Sequence, residues 1–355
     1  MKIIFNGGLY GKEALCYQGR EIIKQLSKNG NQINIMGPKT QGYWSKFYNN
    51  FKGKGDLYVM NGHVSHIPKL DHKKLINITQ LECAIPADWI KALNMDKIKQ
   101  IWVTSEFVKD LIVQSGVKKP IRTIYLGLDK RFIQKDVNIF PKDNSFKFFN
   151  ISAPHCIGTR DRKGLDVLIK AFKNEFGDNP GVKLILKINT IYADDIYRRF
   201  GKQFDLNKYL SLLLPKNTNT SNIQIITNYI PTKLLSDLYN SIDCGVFPSR
   251  GEGFGLPQAE LIKIGKPVIT TDYSSTNEFS DSNLRIKLKG MWPLDYQNLP
   301  PYYKSRFAEP DEDHLRKLMR KIYEKDYKFQ LPKIFKEFNW DKIGKKMNSY
   351  IKEIK

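Results

Sequence analysis

Cysteine is scarce in this sequence of 355 residues, which contains four. The four lie far apart and form no C-x-x-C pair, so the sequence offers neither a disulfide framework nor the paired spacing of a structural zinc site. We interpret them as reduced, mostly buried thiols. They are Cys16, Cys83, Cys156 and Cys244.

Long hydrophobic runs are also missing. No stretch approaches the roughly 18 apolar residues that indicate a membrane-spanning helix. The sequence opens directly into a short strand-like run rather than the apolar segment of a signal peptide. We therefore expect a cytoplasmic protein, with a peripheral position on a membrane surface as an open alternative.

Acidic residues are the third shortage. The sequence has 36 Asp and Glu against 58 Lys and Arg, which gives a formal net charge of +22. Residues 1–140 contain 22 basic and 11 acidic residues, and the remainder contains 36 and 25, so the charge is not a basic tail. Such a surface favours anionic partners: phosphorylated substrates, acidic glycans, lipid headgroups or nucleic acid. A Lys- and Asn-rich composition without a polyanion partner explains the charge equally well.

Short apolar runs alternate with amphipathic segments along the chain. A run at 2–6, a glycine loop, a helical pattern that ends at Gly30 and a second run at 32–36 together predict a parallel sheet. Further strands are predicted at 56–60, 75–79, 100–104 and 121–125, and in a second series at 146–152, 182–188, 223–227, 243–247 and 267–271. Helices are predicted after Ser105 and at 164–175, 231–240, 256–264, 311–325 and 340–353.

The two series predict two Rossmann-like α/β domains. The polar stretch 134–145 separates them, and we assign it as a linker between an N-terminal domain, 1–133, and a C-terminal domain, 146–335. The last residues, 336–355, are predicted to form a helix that could cross back to the N-terminal domain. Residues 281–309 give few periodic signals, so no element is predicted there.

The segment 249–278 carries the strongest chemical signal. Pro257 suits the first turn of a helix, where its missing N–H is not needed. Gly253 and Gly255 precede it and let the backbone approach a ligand closely. Because the free N–H groups at the start of a helix attract anions, this junction predicts a phosphate site.

Two glutamates flank this junction: Glu252 lies just before it and Glu260 lies inside the predicted helix. Eight positions would span about 12 Å in continuous helix, whereas the two carboxyl groups of a glycoside hydrolase lie roughly 5–9.5 Å apart. The spacing therefore suits two carboxylates that hold opposite ends of one elongated ligand. A sugar, a diphosphate and a ribose make such a ligand.

This segment resembles the Glu-x7-Glu signature of retaining glycosyltransferases with the GT-B fold, specifically family four, the glycosyl transferases group 1. Upstream, residues 229–243 resemble the strand, helix and strand that lead into that signature, and Arg162-Lys163-Gly164 resembles the basic diphosphate clamp of the family. In the N-terminal half, Gly7-Gly8 resembles the glycine loop that meets the donor. The stretches that resemble one subgroup of the family are Glu82 to Trp89, 103–108 and 126–129.

The resemblance implies two Rossmann-like domains whose parallel sheets face each other across a cleft, and it implies roles for single residues. Glu260 would hydrogen-bond the ribose hydroxyls, and Glu252 would contact the donor sugar near the reacting carbon. Lys163, with Arg162 or Arg160, would neutralise the departing diphosphate. The other implied donor-binding residues are Gly7, Gly8, Tyr229, Ile230, Gly253, Phe254, Gly255 and Leu256.

One departure leaves the arginine of the clamp open. The family usually carries a Gly-Arg pair on the strand before the lysine, whereas residues 152–160 read SAPHCIGTR here. On the acceptor side, His63 follows a predicted strand and so lies at the edge of the sheet where ligands bind. With Glu252, we assign His63 and Glu82 as catalytic candidates. His155 could also line the cleft.

The resemblance further implies a hexosyltransferase that acts with retention, without a metal and without a cofactor other than its nucleotide-sugar donor. The donor would be of the UDP, GDP or ADP type. The acceptor would be a hydroxyl of a glycan, a lipid or a small molecule, and contact with an anionic membrane is a further option. Asp311-Glu312-Asp313 matches a metal motif of another fold only trivially, and we predict that it caps a helix.

Two alternative functions stay open. One is another GT-B enzyme, such as a sugar-nucleotide epimerase. The other is a nucleic-acid-directed protein, either a binder or a DNA-base glucosyltransferase, which the positive charge would suit. Nucleic acid is not the expected partner, because the sequence contains no basic helix with interleaved aromatic residues and no recognition motif.

Overall fold

The computed structural model of the chain describes residues 1–9, 14–36, 42–48, 50–140, 142–154, 160–198, 201–214, 218–293 and 305–354. They form two compact units, Met1–Leu128 with Lys336–Lys355, and Asp129–Phe335. In the order of the chain, the second unit is thus inserted between the two parts of the first. Within these ranges, no helix combines the length and the apolar character needed to cross a lipid bilayer.

The first unit is an α/β domain. Its strands are β1 (Lys2–Gly7), β2 (Gln32–Met36), β3 (Leu57–Asn61), β4 (Leu75–Thr79), β5 (Ile98–Val103) and β6 (Ile121–Thr123). Its helices are α1 (Ala14–Lys28), α2 (Ala87–Leu93), α3 (Glu106–Gln114) and the C-terminal α10 (Trp340–Lys352), with 3-10 helices at Gly42–Phe47 and Val64–Lys69. As predicted, Ser105 caps α3: its Oγ accepts a hydrogen bond from the backbone N–H of Val108 at 3.2 Å.

The strands of the first unit form one parallel sheet in the order β2-β1-β3-β4-β5-β6. The sheet has apolar side chains on both faces because helices cover both faces of such a sheet. The helix α10 packs with α1 on one of them, where Ile343 and Met347 join the core that contains Ile23. Trp340 also lies against Gly127, where a Cβ atom would be 2.5 Å from its ring.

The second unit is also an α/β domain, extended by a hairpin. Its strands are β7 (Phe146–Ser152), β8 (Val182–Ile188), β9 (Ile223–Ile226), β10 (Cys244–Phe247), β11 (Val268–Thr271) and β12 (Arg285–Ile286), and the antiparallel pair is β13 (Leu288–Trp292) with β14 (Phe307–Pro310). Its helices are α4 (Leu165–Phe176), α5 (Thr190–Arg198), α6 (Leu206–Leu213), α7 (Thr232–Asn240), α8 (Leu256–Lys263) and α9 (Glu312–Tyr323). Shorter 3-10 helices lie at Ser275–Glu278, Ser282–Leu284 and Lys333–Lys336.

The parallel strands of the second unit run in the order β12-β11-β10-β7-β8-β9. The chain starts in the centre with β7, moves outward through β8 and β9, and then returns to β10 on the other side of β7. The direction of winding therefore reverses between β7 and β10. In open α/β sheets, ligands bind outside the carboxyl ends of the strands at such a point.

The fold class predicted from the sequence, two α/β domains that each contain a parallel sheet, is confirmed. The division between the units falls after Leu128, and the segment 134–145 belongs to the second unit. Lys135 holds it there: its backbone N–H donates to Asn240 Oδ1 at 2.8 Å and its Nζ to Asp237 Oδ1 at 2.7 Å. Three helices were not predicted, namely α2, α5 and α6, nor was the hairpin of β13 and β14.

The cysteines lie largely as expected. Cys16, Cys83 and Cys244 are buried thiols that take part in no disulfide. Cys156, like His155 and the rest of 155–159, lies outside the described residues.

Candidate active site

The candidate active site lies where the loops that follow β7 and β10 meet. Gly164, on the first loop, has a φ of +68°, and a Cβ atom there would lie 2.0 Å from the carbonyl oxygen of Pro248 on the second. The backbone N–H of Arg250 donates to the carbonyl of Arg162 at 2.7 Å. The loops therefore touch through their backbones, and only glycine fits at the contact.

Glu252 is buried on the second loop, and two cations hold its carboxylate. Lys163 Nζ donates to Oε1 at 2.9 Å and to Oε2 at 3.0 Å. Arg162 Nη1 donates to Oε2 at 3.3 Å and to the carbonyl of Gly251 at 2.7 Å. Gln258, from α8, donates to Oε1 at 3.4 Å. The fold thus brings the first signature glutamate together with the predicted basic pair, 89 positions earlier in the chain.

The charge of Glu252 follows from these contacts. Burial alone would raise its pKa, but the charges of Lys163 and Arg162 outweigh burial and lower the pKa to about 2. The carboxylate is therefore ionised at neutral pH. Lys163 and Arg162 therefore present N–H donors and positive charge beside Glu252, which suits an anionic ligand.

The helix α8 begins beside this cluster. Gly255 precedes it with a φ of +89°, and a Cβ atom there would lie 2.7 Å from Thr276 Cγ2. Pro257 lies in the first turn, as predicted, and Gly255 provides no side-chain cap. The first backbone N–H groups of a helix have no partner within it. They add to the positive character of the junction.

Glu260 lies within α8 and has different surroundings. Its side chain is buried, and Oε2 accepts a hydrogen bond from Tyr239 Oη at 3.4 Å. Burial, strengthened by the charge of Asp129 and opposed by Tyr239 and Lys263, raises the pKa of Glu260 to about 8. The two signature glutamates therefore differ in charge at pH 7, where Glu252 is ionised and Glu260 is mostly protonated.

The two candidate arginines have different partners. Arg162 contacts Glu252, whereas Arg160 Nη2 donates to Glu309 Oε2 at 2.6 Å and its guanidinium lies 5.5 Å from the ring of Trp292. Glu309 and Trp292 belong to the β13–β14 hairpin. The geometry therefore places Arg162 in the cluster with Lys163 and Glu252 and places Arg160 against the hairpin.

Arg250, which the sequence did not single out, supports both loops. Its guanidinium is 1% exposed. It donates twice to Asp166 at 2.9 and 2.8 Å, twice to Glu309 at 3.0 Å, and to the carbonyl of Asp161. All five N–H donors of the side chain are thus in use. No local pattern predicts this network, because its carboxylates lie 84 positions before Arg250 and 59 after it.

Ser274 is a second contributor that sequence reasoning missed. It has a φ of +70°, a conformation that residues other than glycine rarely adopt. Its Oγ accepts a hydrogen bond from the backbone N–H of Glu252 at 3.0 Å, and the adjacent Ser275 Oγ donates to the carbonyl of Glu252 at 2.7 Å. Two serines thus fix the backbone that carries the glutamate, and strained backbone of this kind concentrates at functional sites.

The remaining predicted donor residues of this unit lie on either side of α7 and before α8. Tyr229, with 52% of its surface exposed, and the half-buried Ile230 lie between β9 and α7. Phe254 is buried, with its ring 5.6 Å from that of Phe279. Gly253 is buried beside Glu252, and Leu256 is the first residue of α8.

Comparison with known proteins agrees with this geometry. Residues 157–284, which contain the cluster and α8, match the sequence model of the family described as glycosyl transferases group 1. The part of the chain that forms the candidate site is therefore similar to the glycosyltransferases of this family. No curated protein matches its sequence.

Solved structures resemble the chain over its whole length. Sucrose-phosphate synthase from Thermosynechococcus elongatus superimposes with a TM-score of 0.66 at 13% identity, covering 99% of this chain and 98% of the other. The Anabaena protein HepE, in complex with UDP and glucose, gives 0.64 at 13%, covering 99% and 98%. Trehalose-6-phosphate synthase gives 0.66 at 9%, covering 100% of both chains. At these identities the likeness establishes the fold.

The other predicted site residues lie in the first unit of the chain. Gly7 ends β1 close to β3, since a Cβ atom there would lie 2.8 Å from the carbonyl oxygen of Asn61; at Gly8 it would lie 3.2 Å from Cys16 Sγ. The exposed His63 follows β3, with Nδ1 2.6 Å from Ser65 Oγ and its ring edge-on to Trp89 at 4.4 Å. Glu82 is half-buried in the loop after β4. Gly7, Gly8, His63 and Glu82 thus lie at or just after the carboxyl ends of three neighbouring strands, β1, β3 and β4.

No group of three or more His, Cys, Asp or Glu side chains that could hold a metal ion occurs in the part of the chain that the structure describes. The Asp311-Glu312-Asp313 stretch caps a helix, as predicted. Asp311 Oδ1 accepts a hydrogen bond from the backbone N–H of His314 at 3.1 Å and so caps the start of α9.

Proposed function

We propose that the protein is a glycosyltransferase that moves a hexose from a nucleoside diphosphate sugar to a hydroxyl acceptor with retention of configuration and without a metal ion. The observation that carries the proposal is the contact of Glu252 with Lys163 and Arg162 at the start of α8. It places an ionised carboxylate, two cations and free helix N–H groups around one point. A sugar diphosphate needs these groups together, since it presents hydroxyls next to two negatively charged phosphates.

The departing diphosphate is the main electrostatic problem of the reaction. Lys163 and Arg162 offer positive charge beside Glu252, and the backbone N–H groups of Gly255 and Leu256 at the start of α8 offer partial charge. In the proposed reaction the bond between the anomeric carbon and the diphosphate oxygen breaks, and a bond from that carbon to the acceptor oxygen forms. The acceptor proton passes to the leaving diphosphate on the same face of the sugar, which gives retention.

In this proposal the two glutamates contact different parts of the donor. Glu252, ionised and held by cations, contacts the sugar near the anomeric carbon, where positive charge develops as the bond to the diphosphate breaks. Glu260 hydrogen-bonds the ribose hydroxyls. A UDP-type donor is supported by HepE, which has a similar fold and was solved with UDP and glucose.

The acceptor is assigned to the first unit. His63 and Glu82 supply an imidazole and a carboxylate at the carboxyl ends of β3 and β4, and either group can orient a hydroxyl. The net charge of +22 supports an acceptor that carries phosphate or acidic sugars, or one presented at an anionic membrane surface. We place this reaction in the cytoplasm.

Product analysis tests the proposal. The purified protein is incubated with UDP-, GDP- and ADP-hexoses in EDTA, with and without a panel of sugar, sugar-phosphate and lipid-linked acceptors. We expect release of the nucleoside diphosphate and a glycoside whose anomeric coupling constant in proton NMR matches that of the donor. An inverted product would refute retention, and loss of activity in EDTA would refute metal independence. An epimerised sugar nucleotide formed without acceptor would identify an epimerase instead.

A further inference from the structure

Lys187 is a buried lysine that the proposed reaction does not use. It lies on β8, one residue before the strand ends, and only 7% of its surface is exposed. Leu184 and Leu186 face the core formed with α4 and α9. Because side chains alternate along a strand, Lys187 lies on the opposite face of the sheet together with Ile185.

The ammonium group of Lys187 is poorly satisfied. Nζ reaches the carbonyl oxygens of Ile188 at 3.3 Å and Thr227 at 3.4 Å, and both distances exceed the usual range of an N–H···O bond. Burial lowers its pKa, and no acidic side chain of the described residues acts against that effect. An ammonium has three donors, and a buried one costs free energy unless they are used.

Lys147 shows what a satisfied lysine of the same sheet looks like. It is equally buried, at 4% exposure. Its Nζ donates to the carbonyls of Asp143 and Ser145 at 2.9 and 2.7 Å, and a carboxylate oxygen of Asp143 lies 3.8 Å away. The contrast indicates that Lys187 has room for a further acceptor.

The face on which Lys187 lies is that of the proposed ribose carboxylate. Phe149, the register partner of Ile185, contacts Tyr239 with ring centroids 5.5 Å apart, and Tyr239 donates to Glu260. Thr227, which accepts from Lys187, begins the segment that carries Tyr229 and Ile230 between β9 and α7. Lys187 therefore lies at the carboxyl ends of β8 and β9, on the same face of the sheet as Glu260, the proposed ribose carboxylate. The strand on its other side is β7, and the loop after β7 carries the proposed diphosphate clamp.

We propose that Lys187 Nζ donates a hydrogen bond to the exocyclic keto oxygen of the donor base, so that the enzyme selects uracil or guanine nucleotides over cytosine and adenine nucleotides. The inference rests on the proposed function, since it assigns the base of the same donor. Uracil O4 and guanine O6 are acceptors, whereas the corresponding position of cytosine and adenine carries an amino group that only donates. An ammonium has no acceptor to offer that amino group.

Calorimetric titration of the full chain with UDP, CDP, GDP, ADP and inorganic pyrophosphate tests this assignment. We expect the tighter of UDP and GDP to bind at least tenfold more strongly than CDP and ADP, which corresponds to about 1.4 kcal/mol. Lys187→Met should reduce this ratio to nearly one and leave pyrophosphate binding within twofold. The matched variant Lys147→Met, which removes a buried lysine away from the site, should keep the ratio.

The same titrations can overturn the inference. It fails if CDP or ADP binds the wild-type chain as tightly as UDP or GDP, a comparison that needs no variant to fold. It also fails if Lys187→Met weakens pyrophosphate as much as the preferred nucleotide, because Lys187 would then bind phosphate. If no nucleotide binds the wild-type chain, the proposed function itself is refuted, and the assignment of a base falls with it.

Discussion

Arg250 and Glu309 form a two-point contact, with Nε 3.0 Å from Oε2 and Nη2 3.0 Å from Oε1. Arg250 lies two residues before the first signature glutamate, whereas Glu309 lies on β14, beyond the region that matches the glycosyltransferase family. Glu309 also binds Arg160. The hairpin that carries it is thus a structural part of the candidate active site.

Glu309→Gln tests this support. Breaking one side of a largely buried ion pair should lower the free energy of unfolding by roughly 3 kcal/mol. We expect kcat to fall as well, because the loop that carries Lys163 loses its anchor. Urea unfolding and steady-state kinetics measure the two effects. Glu324→Gln, which removes a surface carboxylate 4.0 Å from Arg320, should change stability by at most about 1 kcal/mol; equal losses in the two variants would contradict the assigned role.

Lys163→Met removes the cation that contacts both oxygens of Glu252. If this ammonium stabilises the leaving diphosphate, kcat should fall by roughly 10²- to 10³-fold, as for other preorganised groups that face developing charge. The matched control is Lys170→Met, an exposed lysine on α4, which should retain full activity. A Lys163→Met enzyme with normal kcat would exclude the clamp.

Truncation of the two signature glutamates should change different kinetic parameters. Glu260→Ala removes the proposed ribose contact, which is equally important in the ground state and the transition state, so the donor KM should rise sharply. Glu252→Ala removes a contact near the reacting carbon and should mainly lower kcat. Initial-rate kinetics over donor concentration separates the two parameters. Equal, mild effects in both variants would argue against this division of roles.

The pH dependence of stability should report on Glu260. Because burial raises its pKa from 4.5 to about 8, the folded state binds the proton more tightly than the unfolded state. The contribution of Glu260 to the free energy of unfolding is complete below pH 4.5 and is lost as pH rises through 8. Relative to Glu260→Gln, which cannot ionise, the wild-type chain should lose free energy of unfolding between pH 5 and pH 9. Parallel profiles for the two proteins would show that Glu260 titrates normally.

Gly164→Ala tests the contact between the two loops. A Cβ atom at Gly164 would lie 2.0 Å from the backbone oxygen of Pro248, whereas at Gly177, with a φ of +53°, it would meet nothing within 4 Å. With a φ of +53° and a ψ of −126°, Gly177 has a backbone conformation that other residues rarely adopt, so Gly177→Ala should cost only that strain, roughly 1–3 kcal/mol. Gly164→Ala should cost more and should also reduce activity. Thermal unfolding and initial rates compare the variants, and equal losses of stability and activity would remove Gly164 from the site.

Most strands could be predicted because each buried strand is a run of apolar residues. Residues typical of turns precede and follow each run. The residues 182–188 were assigned from such a run alone, and β8 has these bounds. The helix α5 was not predicted because Asp194, Asp195 and Arg198 interrupt the apolar pattern of its sequence. The strand β13 is largely exposed and contains Gly290, and its partner follows only at β14, so neither alternation nor a tight turn marks the hairpin.

The candidate site likewise contains some residues that could be predicted from the sequence and others that could not. Glu252, Gly255 and Pro257 could be found because they lie within six residues, and local chemistry at a helix start has a recognisable spacing. The sequence leaves the arginine of the proposed clamp open because the usual Gly-Arg pair is absent. The contact that separates Arg160 from Arg162 is made with Glu309, which lies 149 positions from Arg160. Lys187 gave no signal either, since a lysine in an apolar strand is notable only once its burial is known.

The packing of α10 has a consequence for biogenesis. Lys28 pairs with Asp341 at 2.6 Å, Asn31 binds Asn348, and Trp340 fills the space beside Gly127. The first unit therefore draws part of its core from residues that are synthesised after the whole of 129–335. All residues of the inserted unit are thus synthesised before α10, whereas the core of the first unit is complete only when α10 has emerged from the ribosome.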